Sequence, residues 1–219
     1  TVNKTRRCAG QAGLAALPGD TFSVRFSQVM RLREGWFRFH LRGDDGVRLY
    51  VDDRLVINGW TDQADTAYVA EHYVTGGDHV IRIEYYEATG QADVHFTVEP
   101  ITWHYELFHD YSFTGAAATF DDTLTQLEWR HAPPVTADGT LTRGQFGLRG
   151  TATFNFAAGK YRFHNFSTGA ARVYLDGVQV ANLPNPGDNV ETNVATGSHI
   201  VRIEFMNAST VPADGSHSY

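Results

Sequence analysis

Hydrophobic and polar residues alternate with period two along most of this chain, as they do in strands with one face buried. Phe37, Phe39 and Leu41 fall on one face, as do Val47, Leu49 and Val51, and then Ile81, Ile83 and Tyr85. The intervening Arg48, Tyr50, Asp52, Arg82 and Glu84 belong to the opposite, polar face. Short Gly- and Asp-rich stretches, "REG", "GDDG", "VDD", "TGGD" and "ATGQ", separate the runs as turns. No segment carries a convincing amphipathic helix, so the pattern predicts an all-β chain of antiparallel strands folded as a β-sandwich.

The same pattern recurs. "FSVRFSQVMRLREGWFRFH" (22–40) aligns without a gap on "FGLRGTATFNFAAGKYRFH" (146–164). "VRLYVDDRLVIN" (47–58) aligns on "ARVYLDGVQVAN" (171–182), and "GDHVIRIEYYEA" (77–88) on "GSHIVRIEFMNA" (197–208). In the second copy Val173, Leu175, Val201, Ile203 and Phe205 take the apolar face. The chain therefore reads as a duplicated domain, with the boundary near Pro100: residues 1–100 form the first domain and residues 101–219 the second. The first is expected to lack its opening strands and the second its last strand, so the chain reads as an interior piece of a longer tandem-domain protein.

Composition narrows the classes. With 219 residues, 42% of them hydrophobic, the chain can bury a core. A formal net charge of -7 argues against nucleic acid, which calls for a dense Lys/Arg surface. No stretch reaches the roughly 18 apolar residues of a membrane span. Cys8 is alone, so it can form no disulfide within the chain. Three Asn-x-Ser/Thr triplets begin at Asn3, Asn165 and Asn207. Ten histidines invite a metal search, but His40 and His164 occupy equivalent positions, as do His79 and His199, which favours shared structural roles. No HExxH spacing, catalytic carboxylate pair or Ser-His-Asp set stands out, and the chain reads as non-enzymatic.

The candidate chemistry lies at Asp44 and Asp45, adjacent acids preceding the strand 47–52. Neighbouring strand residues point to opposite faces, so two such carboxylates converge on one ion only if the backbone bends. The bland alternative is a solvated turn in which both accept backbone hydrogen bonds. Thr168 and Gly169 stand at the equivalent positions of the second copy, so the duplicated strand does not require acids there. Trp60 could stack on a sugar ring or pack into the core. The loop "TDQADTAY" (61–68) could form a further rim. Arg42-Gly43-Asp44 spells the integrin tripeptide.

"EGWFRFHLR", "GDDGVRLYVDDRLVINGW" and "GGDHVIRIEYYEATGQADVHF" together resemble the PA14 family, which takes its name from anthrax protective antigen. The resemblance covers Phe22 to Val98 and, more loosely, the second copy. It implies two tandem PA14-like β-sandwiches. In lectin-like members the two aspartates, joined by a cis peptide, hold Ca²⁺, which in turn holds sugar hydroxyls. That implication makes Asp44 and Asp45 the metal ligands and places Glu87, Gly90 and Gln91, in "EATGQ", in the second ligand-binding loop, with Ala88 where Asn is common. The expected function is extracellular or cell-surface carbohydrate binding and adhesion, Ca²⁺-dependent in the first domain, with glycans or cell-surface polysaccharide as partners. One alternative is a surface-layer, sheath or filament subunit that packs against neighbouring copies of itself. Another is an accessory module of a secreted glycosidase.

Overall fold

The computed structural model describes residues 20–116, 118–123 and 146–207, and every regular element among them is a β-strand. The chain divides into two compact units, Thr1–Ile101 and Thr102–Tyr219. In the first unit, β1 (Phe22–Leu32), β6 (Gly77–Glu87), β3 (Gly46–Val51) and β4 (Arg54–Gly59) form one antiparallel sheet in that order. β5 (Thr66–Val74), β2 (Gly35–Asp44) and β7 (Asp93–Pro100) form the second.

Period-two alternation is what lets both sheets bury one face. Phe37, Phe39 and Leu41 of β2 meet Val47, Leu49 and Val51 of β3, with Ile57, Val74, Ile81, Tyr85 and Val98, in a single apolar cluster. Both sheets contribute to that cluster, which makes the unit a sandwich. Each large side chain fully buried there contributes about 1.5–3 kcal/mol relative to exposure. The alternate residues stay outside and pair with each other: Glu84 lies 2.9 Å from Arg25 and 3.7 Å from Arg82, and the Arg82 guanidinium sits over the Tyr50 ring.

The second unit repeats this wiring. β13 (Val178–Leu183), β12 (Ala170–Leu175), β15 (Gly197–Met206) and β10 (Gly147–Phe156) run in the same order as β4, β3, β6 and β1. β8 (Trp103–Phe108) and β9 (Ala118–Asp122) extend that sheet beyond β10, while β11 (Gly159–His164) pairs with β14 (Asn189–Val194) as β2 does with β5. The register shifts at Leu49/Tyr50 in one copy and at Val173/Tyr174 in the other. The β3–β4 turn places Asp52 and Asp53 at φ 48° and 64°, and the β12–β13 turn places Asp176 and Gly177 at 49° and 82°. Two consecutive positive φ values are what a two-residue type I′ hairpin requires, which explains the Asp and Gly there. The segments expected to be short of strands, ahead of β1 and after β15, fall on residues 1–19 and 208–219, outside the described residues, as does Cys8.

The first unit departs from the pattern reading at "GDDG". It is not a turn within one sheet: β2 ends at Asp44 in one sheet and β3 starts at Gly46 in the other. Asp45 is therefore the single residue over which the chain passes between sheets.

Candidate functional site

The Asp44–Asp45 peptide is cis, as the resemblance implies. Asp45 is 6% exposed, and its carboxylate faces backbone donors. Oδ1 accepts the Gln63 N–H at 3.0 Å, and Oδ2 accepts those of Ala88 at 2.8 Å and Thr89 at 3.4 Å. The Gln63 side chain donates back to the Asp45 carbonyl at 3.0 Å. One carboxylate thus gathers three segments: the sheet-to-sheet junction, the β4–β5 loop and the β6–β7 loop. The Ala88 N–H, first among these donors, holds the Asp45 pKa below the usual carboxylate value.

Asp44 is placed differently. Its side chain is half-buried and makes no hydrogen bond or ion pair among the described residues. Its backbone carbonyl lies 2.6 Å from the Tyr85 hydroxyl, which is also 2.7 Å from Glu87 Oε2, so one proton is shared between two acceptors. Glu87 is 1% exposed and its Oε1 has no hydrogen-bond partner among the described residues. Glu87 therefore supports the Asp44 junction from beneath, whereas Gly90 and Gln91 are exposed. Gly90, at φ 113°, donates its N–H to Asp20 Oδ1 at 3.1 Å.

Trp60 lies outside the core, 37% exposed. Its ring meets Tyr86 edge-to-face with centroids 4.7 Å apart, and the Arg48 guanidinium sits 4.4 Å from its centre. Tyr86 lies over Gly46, where an added Cβ would come within 1.9 Å of its ring, and donates its hydroxyl to Asp62 at 2.6 Å. That bond, with the negative charge of Asp62, pushes the Tyr86 phenol up to about 12. Arg42 of the integrin-like tripeptide is paired with Asp65 at 3.0 Å and Asp93 at 2.8 Å.

The arrangement of an acidic sheet junction, two gathered loops and a flanking aromatic pair falls within one stretch of known kind. Residues 15–103 match the PA14 domain. Over more of the chain, the anti-sigma-I factor RsgI3 of Acetivibrio thermocellus is similar: 25% identical over 222 residues, covering 86% of this chain and 34% of that protein. The chain thus spans about a third of the length of that relative. Among solved structures, an anti-sigma factor domain-containing protein from Clostridium clariflavum is 18% identical over 94% of this chain and 82% of its own, with a TM-score of 0.38. A lectin from Pleurotus ostreatus, solved with GalNAc, is 11% identical over 90% of this chain and 73% of its own, with a TM-score of 0.34.

The second unit shows how the first unit's three-segment gathering is done without acids. Asn165, 3% exposed, donates Nδ2 to the carbonyls of Gly169, Leu183 and Asn185 at 2.8, 3.1 and 3.1 Å, and its Oδ1 accepts the Ser167 N–H at 3.0 Å. The Asn165 triplet, which matches the N-glycosylation pattern, is tied up in an internal knot; the triplets at Asn3 and Asn207 lie wholly or partly outside the described residues. Gly169, the counterpart of Asp45, admits no side chain, since a Cβ would stand 2.1 Å from the Met206 carbonyl. Pro184, Phe205 and Met206 stand where the first unit has Trp60, Tyr85 and Tyr86. The acid pair, the Tyr85 hydroxyl and the aromatic pair are all absent together. The shared role of the equivalent histidines holds only for His79 and His199, which both bond an Asp at 2.6 Å; His40 lies near Glu99 and His164 against Phe166.

Among the described residues no group of three or more His, Cys, Asp or Glu side chains gathers as a metal cage. The donors at the junction are two carboxylates and neutral oxygens. That set suits Ca²⁺, which takes about six to eight oxygens including carbonyls and water, better than Zn²⁺ with its nitrogen and sulfur ligands. The Asp44 carboxylate, without a hydrogen-bond or ion-pair partner among the described residues, could face such an ion. Asp45 has already committed both oxygens to N–H groups: Oδ2 takes two of them, and Oδ1, with one, keeps a lone pair for a second interaction.

Proposed function

We propose that the PA14 domain of this chain is a non-enzymatic glycan-binding module of an extracellular or cell-surface protein. In this reading Asp44 and Asp45 hold a Ca²⁺ that receives sugar hydroxyls, the exposed Gly90–Gln91 loop borders the sugar, and Trp60 with Tyr86 flanks it. The bound ion would supply a positive point that orients vicinal hydroxyls. The observation that carries the reading is the division of labour between the two acids: Asp45 gathers three segments, and the Asp44 carboxylate has no partner among the described residues. The second unit, a divergent PA14-like copy, is a spacer with the same strand order and no such acid pair at the equivalent positions, Thr168 and Gly169.

The similarity to an anti-sigma-I factor favours a second setting for the same module. There the tandem units form the recognition part of a longer regulatory protein, and glycan binding reports the presence of polysaccharide rather than anchoring a cell.

A glycan array probed with the full chain tests the shared core of both settings. Binding is expected with Ca²⁺, and is expected to vanish with chelator and in Asp44→Ala. Glycan binding that survives both treatments overturns the site; no binding to any glycan overturns the function.

A further inference from the structure

In each unit one histidine is bracketed by oxygen acceptors on both ring nitrogens. His79 Nδ1 lies 2.6 Å from Asp52 Oδ2 and Nε2 lies 2.7 Å from the Thr75 carbonyl. His199 repeats this, with Nδ1 2.6 Å from Asp176 Oδ2 and Nε2 3.1 Å from the Ala195 carbonyl. A carbonyl only accepts, and an ionised carboxylate only accepts, so both contacts are hydrogen bonds only when both ring nitrogens carry protons. A neutral imidazole would turn a lone pair toward one of the two oxygens. Each Asp completes the bracket by accepting a backbone N–H, Val80 to Asp52 at 2.8 Å and Ile200 to Asp176 at 2.9 Å.

We propose that these two His–Asp brackets are a duplicated protonation latch, in which the imidazolium clamps the type I′ hairpin turn onto the start of the neighbouring strand and releases it on losing a proton. In the first unit the latch joins the β3–β4 turn to the β5–β6 turn and the start of β6; in the second it joins the β12–β13 turn to β15. The latch lies at the far end of β3 from Asp44, about 20 Å away for a six-residue strand. It is therefore independent of the glycan-binding reading and acts on the opposite rim of the same unit.

The surrounding charges favour the closed form. His79 faces Asp52 from the β3–β4 turn and Asp78 on its own strand, while His72 on β5, itself lowered by burial and by Arg54 on β4, shares the charge of Asp52. Arg31 on β1, 3.7 Å from Asp78, offsets that acid. His199 answers to Asp176, with the Phe156 ring at its edge. The Asp hydrogen bond, the largest influence in each case, raises both histidines, and the same contact lowers Asp52. Each raised histidine stabilises the fold fully below the ordinary histidine pKa near 6.5, and that contribution disappears as pH rises through the folded value. Each lowered aspartate contributes above about 3.8 and fails as pH falls through its own folded value. The latch is thus closed in a mildly acidic window between those limits.

NMR titration of the histidine rings in the full chain tests this, with signals assigned through His79→Gln and His199→Gln. His79 and His199 are expected to lose their protons above pH 6.5 and above His72, and Asp176→Asn is expected to bring the His199 midpoint down. Melting temperature is expected to fall from pH 6 to pH 9 in the wild type and to fall less in His199→Gln, whose site is more open and tolerant than that of His79. Midpoints at or below 6.5 for both residues, or a His199 midpoint unmoved by Asp176→Asn, overturn the latch.

Discussion

Replacing Asp45 by Ala separates the two roles assigned to the acid pair. The substitution removes a charged acceptor from the Gln63 and Ala88 N–H groups at 3.0 and 2.8 Å, and a longer contact from Thr89 at 3.4 Å. A hydrogen bond to a charged group contributes about 1.5–3 kcal/mol, and donors left unsatisfied in a 6% exposed site regain little from water. Two good bonds and one weak one set the expected loss at about 3–5 kcal/mol, the range of a broken buried network. For a domain of this size that is a drop of roughly 10 °C or more in melting temperature. Asp44→Ala, which removes a side chain with no hydrogen bond or ion pair among the described residues, is expected to cost no more than about 0.5 kcal/mol. Scanning calorimetry of the full chain reads both. Because backbone hydrogen bonds hold the Asp45 pKa down, its contribution is present above about 3.8 and is lost as pH falls through the folded value, so wild type and Asp45→Ala should converge in strong acid. Equal melting of wild type and Asp45→Ala at neutral pH, or an equal loss in Asp44→Ala, would refute the division of labour.

Other outcomes follow from the same geometry. Gly169→Asp in the second unit is expected to destabilise it and to confer no Ca²⁺ binding, because the new Cβ meets the Met206 backbone carbonyl at 2.1 Å; isothermal titration and melting check both. Asn165→Ala breaks a knot of five hydrogen bonds and is expected to cost about 2–4 kcal/mol by calorimetry. In a glycosylating host, mass spectrometry should find Asn165 unmodified. Trp60→Ala is expected to leave the melting temperature within a few degrees of wild type while weakening glycan binding, which array titration measures.

Much of this was legible in the chain because period-two alternation is a local property. It predicted which residues of β2, β3 and β6 face the core, and the aligned copies foretold matching strand orders. The pairing of Asp52 with His79 was foreshadowed too, since both have counterparts in the second copy. The sheet crossing at Asp45 was not legible: "GDDG" carries the composition of a hairpin turn, and only the partners of β2 and β3 show that they lie in different sheets. The inward role of Asp45 depends on donors 18, 43 and 44 residues away, which no local pattern encodes. The buried role of Asn165 was not legible for the same reason: its triplet is a local pattern, while its three carbonyl acceptors come from the loop ends around it. Trp60 follows an apolar run, and nothing local shows that Tyr86 and Arg48 hold it at the surface.

Calorimetric titration of Ca²⁺ into the full chain and into Asp44→Ala tests the central claim most directly. The wild type is expected to bind one ion per chain with a dissociation constant on the order of 10⁻⁴–10⁻³ M, as suits an extracellular site with few charged ligands, and Asp44→Ala to bind none. A wild type silent to Ca²⁺ throughout the millimolar range, or an Asp44→Ala chain that binds as well, would contradict it.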